Sequence, residues 1–323
     1  MLSDQEKQDY IDIVENRIFF YIEAKFWSKP KLNQFRAWLS NFKSLDEKYF
    51  AFKLLDNFVY YSEEDIAALL QYGLEEKIFK RKILHADLNS KFCILNNELD
   101  KIREEFISKT AIMPLRSDNA SSSGPQIVRY LTNDLGFPEE QVLFNDKLSK
   151  KLILDKYDRI LIVDDFIGTG DQIIDFWNYD KFSFEGESLS MYEIRDSLNK
   201  DHYNVDFEYL CVVATSKGIA RFYAGDAGFR NDLSITYCEE LNEKFIIFGS
   251  NSIYFDNDEI DTAKKILSEV CSNANLNFLG FSGLNYALAF HHSIPDSSLP
   301  LFYTKNENWH FLFRNKLTID VLP

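Results

Sequence analysis

Cysteine is scarce. Cys93, Cys211, Cys238 and Cys271 are spread through 323 residues without any C-x-x-C spacing, so neither a disulfide framework nor a zinc site organises the chain. Positive charge is also in deficit, with 36 Lys and Arg against 51 Asp and Glu and a net charge of −15. That balance argues against a broad nucleic-acid groove or an anionic membrane surface. The cluster Lys77, Lys80, Arg81 and Lys82 reads as a solvated helix face rather than a nucleic-acid patch. No apolar run has the length that crosses a bilayer, and no internal repeat is visible. Met1 to Lys7 is polar and lacks the apolar core of a signal peptide, so a cytoplasmic protein is expected. Aromatic residues are plentiful at 15%. A chain that must hide so many rings is folded, which excludes disorder.

The first third has helical periodicity. Tyr10, Ile13, Val14, Ile18, Tyr21 and Ile22 recur at helical spacing on one face. Pro30 interrupts the pattern. Ser44 and Glu47 have the spacing of a capping box, and Phe50, Phe52, Leu54, Leu55, Phe58 and Val59 give the helix that follows a wide apolar surface. Ser62 starts the next helix, with Asp65 in its first turn.

Beyond residue 108 the pattern changes to short apolar runs alternating with helical segments, as in strands joined by crossover helices. Ile112 to Leu115, Ile160 to Val163, Leu210 to Ala214, Phe245 to Phe248 and Tyr286 to Phe290 are the expected strands. The expected organisation is a helical N-terminal domain over 1–108 and an α/β domain with a parallel sheet over 109–323.

One segment carries chemistry. The apolar run Ile160 to Val163 ends in Asp164 and Asp165, and Gly168-Thr169-Gly170-Asp171-Gln172 then leads into an amphipathic helix. Ligands of open α/β sheets bind outside the carboxyl ends of strands. Glycines let a turn aim its amides at an anion, and a helix N-terminus adds partial positive charge. Adjacent carboxylates can accept hydrogen bonds from ribose hydroxyls or orient water on Mg²⁺. The combination describes a ribose 5-phosphate site. The same residues also allow a structural role, because Thr169 and Gln172 have capping-box spacing and Asp171 complements the helix dipole.

This run resembles the phosphoribosyl-pyrophosphate motif of type I phosphoribosyltransferases. The resemblance implies that Asp164 and Asp165 contact the ribose hydroxyls and act in catalysis, meeting Mg²⁺ only through ribose or water. It implies that Gly168, Thr169, Gly170, Asp171 and Gln172 wrap the 5-phosphate. It also implies a type I phosphoribosyltransferase-like parallel sheet flanked by helices. Asp171 and Gln172 replace a small residue and a hydroxyl residue, so either backbone amides and Thr169 hold the phosphate alone or the site serves another ligand. Further stretches, Trp38 to Phe42, Ala51 to Leu55, Ile294 to Phe302 and Trp309 to Arg314, make the chain similar to phosphoribosyltransferase-like proteins of bacterial conflict systems. Those include anti-phage effectors encoded beside retron reverse transcriptases, in which a Gly-Ser/Thr-Gly-x-Gln turn is tolerated.

By position, the resemblance assigns Ser122 and Ser123, with Arg116 as an added cation, to the loop that holds pyrophosphate; a helix N-cap is the alternative for these serines. Lys217 and Gly218 follow a second strand, at the end that would meet the ligand, and an exposed Lys at a helix start is the simpler reading. His291 and His292 are adjacent and so poorly placed to share a metal. Ser282 lies in Gly280-Phe281-Ser282-Gly283, which is not a nucleophile elbow. The tail with Pro295, Pro300, Trp309 and Arg314 is expected to pack against the sheet, with walling of the acceptor pocket as the alternative. Three functions remain open: an enzyme acting on phosphoribosyl pyrophosphate or a nucleotide with Mg²⁺, a non-catalytic nucleotide sensor, and a docking module for a protein partner such as a reverse transcriptase complex.

Overall fold

A computed structural model describes residues 2–89, 96–115, 123–144, 148–200, 204–224 and 232–315. The chain forms two compact units, one of Met1–Asp65 with Leu241–Pro323 and one of Ile66–Glu240. The change from helices to strands near residue 108 falls inside the second unit. The described strands are β1 (Val59–Tyr61), β2 (Thr110–Pro114), β3 (Arg159–Ile167), β4 (Phe182–Phe184), β5 (Glu187–Leu189), β6 (Asp206–Thr215), β7 (Ser234–Leu241) and β8 (Leu288–Phe290).

The discontinuous unit opens with helix Asp4–Glu23, started by a Ser3–Glu6 capping box and buried through Ile11, Val14, Ile18 and Ile22. The expected box at Ser44 and Glu47 starts helix Leu45–Asp56. That helix stops at Asp56, so Phe58 and Val59 lie beyond it, and Val59–Tyr61 instead pairs in parallel with Leu288–Phe290. The tail packs within this unit. Trp38 and Trp309 both donate their indole N–H to the carbonyl of Leu301, at 2.8 and 2.9 Å, and Trp309 meets Phe42 edge-on.

The continuous unit is built on a four-stranded sheet in the order β2-β3-β6-β7. β2, β3 and β6 are parallel, with Pro114 opposite Val163 and Asp164 opposite Cys211. Ile160 to Val163 and Leu210 to Val213 are fully buried, as strands covered on both faces must be. Burying each such side chain stabilises the fold by about 1.5–3 kcal/mol. The mixed α/β architecture with a parallel sheet flanked by helices agrees with the expectation. The expected strand Phe245 to Phe248 is absent: Glu243–Phe245 is a 3₁₀ turn, and β7 runs just before it.

Candidate functional site

β3 runs on through both acids instead of ending before them. Asp164 and Asp165 are only 5% and 6% exposed, and a carboxylate buried so far is costly unless its oxygens are engaged. Ser123 donates its hydroxyl to Oδ1 of Asp164 at 2.9 Å. Ser123 stands at the start of helix Gly124–Asn133, but its side chain makes no cap to that helix; its carbonyl receives the N–H groups of Gln126 and Ile127. Ser123 therefore holds the N-cap position, as that alternative had it, but caps through its carbonyl alone, and its hydroxyl is turned to the acid pair. Arg116 and Ser122, and Ser121 beside them, lie outside the described residues.

The acids impose a negative field on the core behind them. Burial, and then the charges of Asp164 and Asp165, push the Cys211 thiol well above its ordinary range. The same negative potential suits hydroxyl donors or a cation at the outer end of the strand.

The turn after β3 is fitted to its surroundings by two glycines. Gly170 has φ +84°, and a Cβ there would meet the Gly218 carbonyl at 2.9 Å. A Cβ on Gly218 would fall 2.6 Å from Ile167 Cγ2 and 2.7 Å from the Gly168 carbonyl. Thr215, fully buried at the end of β6, closes the contact. Its hydroxyl donates to the Gly168 carbonyl at 2.6 Å and accepts from the Gly218 N–H at 2.9 Å. The segment behind the turn therefore holds the Gly168 carbonyl inward.

The expected Thr169–Gln172 capping box does not form. Gly170 is the N-cap of helix Asp171–Asn178 and no side chain caps it, because the helix begins one residue later than the box requires. Thr169 Oγ1 accepts from the Asp171 N–H at 3.4 Å, and Gln172 is exposed. Asp171 sits in the first helical turn, and Nε of Arg221 lies 3.6 Å from its Oδ1. The structure thus brings Ser123, Asp164, Asp165 and the Gly168 to Gln172 turn to the carboxyl end of one strand and its helix. It also brings in Gly218 and adds Thr215 and Arg221. Lys217 is exposed in the first turn of helix Ser216–Ala224, as the simpler reading held, whereas Gly218 is buried against the turn.

His291 and His292 follow β8 in a turn, with ring centroids 4.9 Å apart. Among the described residues no group of three or more His, Cys, Asp or Glu side chains could hold a metal ion. No described helix is long and apolar enough to cross a membrane.

Comparison with known proteins gives a family. The family model described as PRTase-CE matches residues 35–315. No curated protein matches the chain. Among solved structures, the crystal structure of orotate phosphoribosyltransferase from Aeropyrum pernix is similar at 9% identity and a TM-score of 0.21. The match covers 43% of this chain and 62% of that one, so the chain spans less than two thirds of its length.

Proposed function

The chain belongs to the PRTase-CE family, and we propose that it binds a ribose 5-phosphate ligand, phosphoribosyl pyrophosphate or a nucleotide, at the end of β3. The observation that carries this reading is the buried acid pair with the Ser123 hydroxyl on Asp164. Asp164 and Asp165 accept hydrogen bonds from the ribose diol. The amides of Gly168 to Gln172, with Thr169, receive the 5-phosphate at the helix N-terminus. Ser123 is assigned to the pyrophosphate, and the resemblance gives the same role to Arg116 and Ser122. Mg²⁺ would be held by the ligand's phosphates and by water, with the carboxylates behind it, and would take up charge on the leaving group.

The reaction is transfer at C1. The C1–O bond to pyrophosphate breaks, its electron pair leaving with pyrophosphate, as a base nitrogen donates its pair to C1 and releases its proton to solvent. Nearby carboxylates offset the positive charge that develops on the ribose. Breaking a nucleotide's N-glycosidic bond is the reverse: pyrophosphate oxygen attacks C1, and the base nitrogen leaves with the bonding pair and takes up a proton from solvent. The resemblance to conflict-system proteins supports a cytoplasmic anti-phage effector working beside a protein partner such as a retron reverse transcriptase complex.

Asp171 favours a second reading, a sensor that binds without turnover, because a carboxylate in the first helical turn competes with a phosphate there. Mass spectrometry of nucleotide pools incubated with the protein, Mg²⁺ and phosphoribosyl pyrophosphate separates the two. New or cleaved N-glycosides that vanish with the Asp164→Asn/Asp165→Asn variant support the enzyme. Ligand recovered unchanged supports the sensor.

A further inference from the structure

Asp171 places negative charge where the proposed phosphate is to bind, and the structure sets a counter-charge against it. Arg221 belongs to helix Ser216–Ala224, which leaves the end of β6. Its Nε stands 3.6 Å from Asp171 Oδ1, an ion-pair separation longer than a hydrogen bond. Its stem lies along the turn itself: Cβ and Cγ of Arg221 are both 3.5 Å from where a side chain on Gly170 would begin. This placement is built into the fold. Helix Ser216–Ala224 can approach only because Gly218 lacks a side chain, and Thr215 ties its first turn to the Gly168 carbonyl.

The pair is half exposed, at 61% for the Arg221 side chain and 48% for Asp171, so it contributes little to folding as an ion pair. A guanidinium is a planar fork of donors that matches a phosphate better than it matches one carboxylate oxygen at long range. Resting on the reading of the turn as a ribose-phosphate site, we propose that Arg221 is a phosphate-binding residue, which balances Asp171 without ligand and transfers to the 5-phosphate when it binds. The carboxylate in the turn is then one half of a matched pair. It discourages anion binding unless Arg221 is present to contribute the charge.

The test is calorimetric titration of ribose 5-phosphate, without metal, into the full chain and into Arg221→Ala, Arg221→Lys, Asp171→Asn and the Arg221→Ala/Asp171→Asn double variant, all checked for unchanged thermal unfolding. Arg221→Ala is expected to weaken binding about tenfold or more, the usual loss for a hydrogen bond to a charged group. Arg221→Lys should recover part of the loss. Asp171→Asn should strengthen binding, and by a larger factor in the Arg221→Ala background, where the carboxylate is no longer balanced. Wild type that binds, with binding lost in Asp164→Asn/Asp165→Asn but equal in Arg221→Ala, overturns this inference alone. Wild type that does not bind ribose 5-phosphate overturns the site reading and this inference together.

Discussion

Ser123 donates its hydroxyl to Asp164 at 2.9 Å across 41 positions of chain. The bond joins the residue before helix Gly124–Asn133 to β3, where Asp164 is paired opposite Cys211 of β6. A serine whose hydroxyl serves a buried carboxylate in place of its own helix has been turned toward the acid pair.

Removing that hydroxyl has a measurable consequence. Ser123→Ala takes one donor from Asp164 and is expected to lower stability by about 1.5–3 kcal/mol, the range for hydrogen bonds to charged groups. Denaturant midpoints at neutral pH measure it. Because the acid then loses its orientation, affinity for phosphoribosyl pyrophosphate should fall as well. A variant with wild-type midpoint and affinity would show that the bond is incidental.

Thr215 governs the shape of the turn after β3. Thr215→Val keeps the volume but leaves the Gly168 carbonyl and Gly218 N–H without their partner, at about 1–3 kcal/mol in urea unfolding. Thr215→Ser keeps the hydroxyl and should restore ribose 5-phosphate affinity, even though it loses a methyl group. Equal affinity for Val and Ser variants would contradict this role.

In the discontinuous unit, acid should weaken the fold through His291. Burial, then His292 and Lys29, outweigh Glu64 and hold its pKa down to about 4, against an ordinary 6.5. A lowered folded value means that the unfolded chain takes up the proton first. The stability contributed by neutral His291 is therefore complete above pH 6.5 and is lost as pH falls through 4. Urea midpoints of wild type should decline over that interval, and His291→Gln should flatten the decline. Parallel pH profiles for the two proteins would refute it.

The sequence revealed what local pattern encodes. β3 was legible because Ile160 to Val163 is an unbroken apolar run, and the acids and glycines after it mark the candidate site by their chemistry. Phe245 to Phe248 has the same local look, yet it is turns, with Ile247 buried in the core of the discontinuous unit; an apolar run records burial and not backbone state. β7 escaped notice because Ser234 to Leu241 mixes Thr, Tyr, Cys and Glu at an edge of the sheet. Val59–Tyr61 was hidden because its partner, Leu288–Phe290, lies far along the chain. The same distance concealed the roles of Thr215 and Arg221, which meet the turn only after β6 is laid beside β3. Thr215 carried one weak signal, its place at the end of an apolar strand next to the Lys217-Gly218 pair.

The central claim is that the end of β3 is a ribose-phosphate site. Calorimetric titration of phosphoribosyl pyrophosphate with Mg²⁺ into wild type and Asp164→Asn/Asp165→Asn tests it most directly, because the variant preserves side-chain shape. Saturable binding to wild type that disappears in the folded variant is the predicted result. A folded wild type that takes up no ligand, or a variant that binds as tightly as wild type, would contradict it.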